Sequence, residues 1–403
     1  MIKNRRICAL DVGTHKIAAL CAKIDRWGIV QVEGFQKIST QGINAGQITD
    51  AGKLSAAIDE VMRQLCKMSG IRVRRVLVNF DCPDLKMHLQ QGVLDSRQDW
   101  RAKKFYLRRM LNTYVCSTLP KQRKLVRVDF KQRAIIDAQT EEPVVDIVML
   151  SSAASSFHAF VRCLARAHLA IEAVVPSGYA QIVSLLKRHR SASAKKNILI
   201  DFGAGLTKII AYENGLVKNI VYISTGAQNI TAGIKDALGV SLDVAERLKL
   251  AYGRLNVMRN INIQRIVVND QAHYKTVETQ ALYAAIAAKI EELLEPTRRA
   301  LQQSLTDGVN PVEEIIVTGG GALMEGFLER AEAVLGLPVK MGFLYGVNES
   351  RLQSQSALYA TLVGLVRYGA LLRDRKDKLL VRAGVGVVDD MISRASKLYY
   401  EYF

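Results

Sequence analysis

Ile7-Cys-Ala-Leu-Asp11-Val-Gly13-Thr14-His15-Lys16-Ile-Ala-Ala-Leu-Cys-Ala-Lys23 and Asn197-Ile-Leu-Ile-Asp201-Phe-Gly203-Ala204-Gly205-Leu-Thr207-Lys208-Ile-Ile-Ala-Tyr212 share one pattern. Each is an apolar run, an Asp-x-Gly turn and a second apolar run, which reads as a β-hairpin. The first, taken alone, also reads as an ordinary hairpin turn capped by its Asp. Its recurrence about 190 residues later changes that, because two such hairpins can face one ligand. A carboxylate at a strand end, glycines that admit backbone N–H groups to an oxyanion, a Thr hydroxyl and a Lys charge suit a nucleotide phosphate. A third stretch, Glu314-Ile-Ile-Val-Thr318-Gly319-Gly320-Gly321-Ala322-Leu-Met324, delivers three glycines from a strand into a helix, where backbone can lie flat against a purine or ribose. The duplication implies two lobes, each contributing one hairpin to a shared cleft.

The rest of the composition agrees with a folded α/β protein. The chain has 403 residues, 49% of them hydrophobic, which is enough for two to four folding units. No apolar run is long enough to span a membrane, and no secretory leader precedes the first strand. Six scattered cysteines, Cys8, Cys21, Cys66, Cys82, Cys116 and Cys163, lack metal-site spacing and read as core residues of a reduced, cytosolic protein. The net charge is +18, with twelve Lys/Arg against two acids in residues 97–133 and smaller basic stretches at 187–196 and 367–382. No zinc finger, aromatic-interleaved RNA motif or helix-turn-helix accompanies them, so nucleic acid is not expected as a partner. A solvated or protein-docking face is the reading of this charge. Within it, residues 103–111 have an amphipathic period with a basic face, a surface helix or a docking site.

The three elements in this order resemble the actin/Hsp70/sugar-kinase superfamily. Further segments resemble the cell-division actin homologue FtsA: Gln41-Gly42-Ile-Asn-Ala-Gly46-Gln-Ile-Thr-Asp50 with the helix after it, Val145-Asp-Ile-Val-Met with the Phe160–Val175 stretch, Ser224-Thr-Gly226-Ala-Gln-Asn229-Ile-Thr231, Ala245-Glu246-Arg-Leu-Lys249, and Tyr359–Gly369. The resemblance covers nearly the whole chain and is poor from Asp81 to Thr140. It implies an actin-like two-lobed ATPase fold with an FtsA-type inserted subdomain and a C-terminal amphipathic helix. The implied division is a first lobe at 1–79 and 161–196 with the insert at 80–160, and a second-lobe core at 197–235 and 312–345 with a small subdomain at 236–311. A closing helix at 346–370, a basic linker at 371–388 and a terminal helix at 389–403 follow.

By the same resemblance, the cofactors are ATP and Mg²⁺. Asp11 and Asp201 would hold the metal, mostly through water. Gly13, Thr14, His15, Lys16, Gly203, Ala204, Gly205 and Thr207 would contact phosphates. Gly226, Asn229, Thr231, Glu246, Lys249, Gly319, Gly320, Gly321 and Ala322 would surround sugar and base. Glu246 and Lys249 alone would read as a surface i,i+3 ion pair. The second turn departs from the family's Asp-x-Gly-Gly-Gly-Thr: Ala204 replaces a glycine, Leu206 a threonine, and Lys208 points either into the cleft or to solvent. No residue is assigned to positioning an attacking water, so ATP binding with at most slow hydrolysis is expected.

At the C-terminus, Met391, Ile392, Ala395, Leu398, Tyr399 and Tyr402 fall on one helical face, with Phe403 at the end and Arg394 and Lys397 beside it. Asp389 and Asp390 favour the helix start. So short a helix needs something to dock on; packing on its own domain is one answer and a bilayer interface the other. The family resemblance selects the bilayer. The expected protein is therefore a peripheral component of the cytoplasmic face of the inner membrane at the division site. It self-associates into protofilaments, binds anionic lipids, tethers FtsZ and helps recruit later division membrane proteins. The alternatives are a pilus-assembly actin homologue and a small-molecule kinase of the same superfamily.

Overall fold

The computed structural model describes residues 6–93, 109, 113, 119–136, 143–185, 196–213, 216–255, 264–271, 273–306 and 312–374. The basic-faced helix expected at 103–111 apart from Arg109, nearly all of the basic stretch 187–196, the linker from 375 and the terminal helix at 389–403 lie outside them.

The first lobe begins with the meander β1 (Ile7–Val12), β2 (Lys16–Ile24) and β3 (Val30–Ser39). A small hairpin, β4 (Ile43–Asn44) and β5 (Gln47–Ile48), leads to α1 (Ala51–Ser69). The Asp50 side chain accepts from the Lys53 amide at the start of α1, and Gly70 closes it in the left-handed region. Leu54, Ile58, Val61, Met62 and Leu65 recur at helical spacing and are buried against the sheet. Then come β6 (Arg75–Asn79), β7 (Lys86–Val93), β8 (Arg123–Ile136), β9 (Pro143–Ala153), α2 (Ala154–Arg166), β10 (Ala170–Val175) and α3 (Ser177–Leu185). Strands β7, β9 and β8 form a separate three-stranded antiparallel sheet, the inserted subdomain.

The second lobe repeats the plan with β11 (Lys196–Phe202), β12 (Thr207–Glu213) and β13 (Leu216–Ile223). It continues through α4 (Ala227–Leu238), α5 (Leu242–Tyr252), β14 (Arg265–Asp270), β15 (His273–Glu278), α6 (Thr279–Thr306), β16 (Val312–Thr318), a 3₁₀ turn at Gly320–Leu323, α7 (Phe327–Leu335) and β17 (Val339–Met341). Short α8 (Ser350–Ser354) and long α9 (Ser356–Asp374) complete it. The two five-stranded sheets run β10-β6-β1-β2-β3 and β17-β16-β11-β12-β13, each an antiparallel meander with two parallel strands added. The duplication read from the sequence is thus a duplication of sheet topology.

Helix α9 returns to the first lobe and packs on α3 and β1. Its Leu362, Val363, Leu365 and Val366 are fully buried in the first-lobe core. A Cβ at Gly364 would stand 2.0 Å from the Ala180 carbonyl oxygen, so the two helices cross at backbone contact. The helix extends through Asp374, which places Leu371–Asp374 of the expected linker inside it. Basic residues from the two smaller basic stretches have structural duties: Arg373 pairs with Glu172 at 2.7 Å, Arg367 donates to the Ser184 carbonyl, and Lys196 donates to the Ser304 carbonyl.

Cys8 and Cys21 are direct partners across β1 and β2, 4.4 Å apart at Cα, with their sulfurs facing each other within reach of a disulfide. A close antiparallel pair brings the side chains within bonding reach. Cys82 and Cys163 are free and buried, as read, while Cys66 is free and half-buried. Because the α3–α9 crossing admits no side chain, Gly364→Val should cost about 1–3 kcal/mol or more, read as a lower urea midpoint by circular dichroism.

Candidate functional site

Both hairpin turns close with the same hydrogen bond. The Gly13 amide donates to the Lys16 carbonyl at 3.0 Å, and the Gly203 amide to the Leu206 carbonyl at 3.0 Å. The turns meet tip to tip across the cleft: a Cβ at Gly205 would stand 2.7 Å from Ala45 Cα and 2.9 Å from Thr14 Oγ1. Only glycine allows that approach. Between the lobes, a cavity of about 1030 Å³ opens, at the upper end of the ~300–1,000 Å³ range of small-molecule sites. Asp11, Gly13, Thr14, His15 and Lys16 line it from the first lobe, and Asp201, Gly203, Ala204, Gly205 and Lys208 from the second. Gly319, Gly320 and Gly321 line it too, as do Glu246 and Lys249.

Gly319 adopts φ +92°, and a Cβ there would stand 2.4 Å from both Asp201 Oδ1 and the Phe202 carbonyl, so the glycine turn lies against the second hairpin. Its amide donates to the Ala357 carbonyl, while Lys16 Nζ donates to the Leu358 carbonyl at 2.6 Å. The first turn of α9 thus holds one element from each lobe. Lys16 also stands 4.9 Å over the Tyr359 ring, and burial lowers its pKa despite the nearby Asp11 and Asp201.

Strand alternation sorts the residues after the second turn. Lys208, the cross-strand partner of Asp201, faces the cleft; Thr207 faces away, fully buried, and its hydroxyl donates to the Thr225 carbonyl. The expected phosphate contact of Thr207 is therefore corrected. Gly226, Asn229, Thr231 and Ala322 stand behind the cavity wall. The Asn229 side chain accepts from the Gly226 amide, and the carbonyls of Gly203 and Ala204 accept from the Ala227 and Gln228 amides, seating the second turn on the start of α4. Thr231 donates to Glu246 at 2.5 Å, and Lys249 Nζ donates to Thr231 at 2.7 Å and Glu246 at 2.6 Å. Glu246 and Lys249 are an i,i+3 pair, but one set into the cavity wall and fixed by Thr231. Burial works to raise the Glu246 pKa, yet the hydrogen bonds from Lys249 and Thr231 prevail and hold it below the ordinary value.

Four residues absent from the sequence-derived site complete the centre. Lys208 Nζ lies 2.7 Å from Asp201 Oδ2, 2.7 Å from Ser177 Oγ and 3.7 Å from Asp81 Oδ2. Gln181 Nε2 donates to the same Asp201 oxygen at 2.7 Å and to Thr361 Oγ1 at 3.0 Å. Asp81 accepts from the Ser177 amide and from the Tyr222 hydroxyl at 3.1 Å. Burial would lower the Lys208 pKa, but Asp201 and Asp81 outweigh it and raise it above the ordinary value. Asp11 is different: burial, opposed by Lys16 and Lys208, raises its pKa from 3.8 to about 6.

Asp11 and Asp201 do face one cavity with the hard oxygens a divalent ion prefers. Asp201 Oδ2 is already taken by an ammonium and an amide, and an ammonium at that oxygen repels a dication. The donor set as built does not fit Mg²⁺ at Asp201. Among the described residues, no group of three or more His, Cys, Asp or Glu is placed to hold a metal.

Comparison with known proteins agrees with this architecture. The family "Cell division protein FtsA" matches residues 198–364. The FtsA of Pseudomonas aeruginosa is 23% identical over 379 residues, covering 91% of this chain and 89% of the relative; that of Neisseria meningitidis serogroup B is 24% identical, covering 90% of each. Among solved structures, the PilM-PilN type IV pilus biogenesis complex superposes with TM-score 0.67 at 16% identity, over 91% of this chain and 99% of that one. MreB5 of Spiroplasma citri bound to AMPPNP gives TM-score 0.54 at 11% identity, over 92% and 98%. The duplicated sheets and interlobe cleft define an actin-like fold. Within that fold the chain is FtsA-like, and the resemblance carried by its motifs holds along nine-tenths of its length.

Asp11 yields a pH prediction. The unfolded carboxyl loses its proton near 3.8 and the folded one near 6, so between these values the folded chain binds more protons. Stability therefore falls as pH rises from about 4 to about 6 and stays lower above, by about 3 kcal/mol at most. Asp11→Asn should raise the melting temperature of the unliganded protein at pH 8 and leave it near wild type at pH 4. Equal effects at both pH values would show that the carboxyl is not ionised against its surroundings.

Proposed function

We propose that this chain is a cell-division scaffold that binds ATP in its interlobe cleft, self-associates into actin-like protofilaments and tethers FtsZ to the inner face of the cytoplasmic membrane. One observation carries the nucleotide part: two Asp-Gly turns from different lobes and a triple-glycine turn line a single cavity large enough for ATP. In this reading the hairpin turns hold phosphates, while Glu246, Lys249 and the glycine turn surround sugar and base. A ligand touching both lobes adds contacts only when they are closed, so it shifts the population towards a closed, polymer-competent state by its differential affinity. The chain's residues offer binding and orientation; none stands assigned to activate a water, so turnover is slow at most.

The membrane part rests on the sequence pattern of residues 389–403 and on the FtsA likeness. Among the described residues no helix is long and apolar enough to cross a membrane. The apolar face from Met391 to Phe403, flanked by Arg394 and Lys397, suits shallow insertion into an anionic interface. Anionic lipids, FtsZ, a second copy of the chain and later division membrane proteins are the partners of this reading.

Co-sedimentation with anionic liposomes, with and without ATP, tests it. The full chain should pellet and a chain ending at Val388 should not, with FtsZ carried down only by the full chain. Both chains remaining soluble, or pilus proteins captured in place of FtsZ, would overturn the tether.

A further inference from the structure

The centre of the cleft holds a cation of its own. Lys208 is buried, with 9% of its surface exposed, and its ammonium is enclosed by Asp201, Asp81 and Ser177. It shares the cavity wall with Asp11 and with both phosphate-type turns. Three of its surroundings come from different elements: Asp201 from β11, Ser177 from the start of α3, and Asp81 from the segment after β6. The position is fixed by register, since Lys208 lies directly across from Asp201. A lysine is a compact point charge with three donors, two of them directed here to Asp201 and Ser177. A dication serves a polyphosphate by neutralising oxygens and bridging them to a carboxylate. An ammonium bound to that carboxylate occupies the place of the metal with one fixed positive charge and disfavours a dication there by repulsion.

We propose that Lys208 is the resident counter-cation of this cleft, so that it takes a nucleoside polyphosphate free of divalent metal. The inference rests on the nucleotide reading above and deepens it. It also departs from the pairing of ATP with Mg²⁺ that the family resemblance implies.

Isothermal titration of the full chain with ATP, once in excess Mg²⁺ and once in excess EDTA, tests it without any variant. Affinities within about threefold of each other are expected. Lys208→Met should lose at least tenfold in EDTA, and Lys208→Arg should retain most binding. Because Lys208→Met leaves Asp201 buried without its cation, the charge-balanced Asp201→Asn/Lys208→Met double variant is titrated beside it, with a thermal melt to confirm folding. The double variant should bind ATP weakly under both conditions. A tenfold or greater preference of the wild type for Mg-ATP would overturn the inference and leave the nucleotide reading standing. No binding of ATP under either condition would overturn both.

Discussion

The side chains of Asp11, Asp81 and Asp201 are withdrawn from water into one cleft, and such an arrangement is stable only when cations are withdrawn with them. Lys208 meets that requirement at the centre and Lys16 at the edge. The two lysines differ in consequence. Lys208 bonds Asp201 and Ser177 and stands within ion-pair distance of Asp81, so it ties the second hairpin to the first-lobe elements around it. Lys16 is drawn to the carbonyl at the start of α9 and leaves Asp11 in a site whose burial raises its pKa. The cleft therefore has a fixed ion pair on one side and a carboxyl of variable charge on the other.

Around that charge balance, the remaining contacts are backbone contacts that side chains would obstruct. Gly205 lets the second turn rest against Thr14 and Ala45, Gly319 lets the glycine turn rest on Asp201 and Phe202, and Gly364 lets α9 cross α3. Of these contacts the first joins the two lobes, while the other two fix the glycine turn within the second lobe and α9 within the first. The Gly205 contact is available only when the lobes are closed, so a polyphosphate that touches both turns favours the closed arrangement.

Much of this was legible in the sequence, because the hairpins and the triple glycine are local patterns of strand, turn and strand. The duplicated sheet followed from their recurrence. Strand register was equally available: with Gly203 to Leu206 as the turn, Lys208 must lie opposite Asp201 and Thr207 must face away, and likewise Cys8 must lie opposite Cys21. A motif describes order along the chain and not which face a side chain takes, so the motif alone puts Thr207 at the phosphates. Asp81, Ser177 and Gln181 carry no local signature; they reach the centre through the packing of α3 and of the loop after β6. Gly226, Asn229 and Thr231 sit next to the site in sequence logic, yet they build the wall from behind by fixing α4 and the Glu246–Lys249 pair.

The central claim is that both hairpin turns grip one nucleotide. Hydrogen–deuterium exchange of the full chain with and without ATP addresses it directly, because each turn reports through its own amides. The account predicts that residues 13–16, 203–207 and 319–321 become protected together at one ATP concentration. Protection of one turn alone, or of none while ATP is demonstrably bound, would place the ligand elsewhere and contradict it.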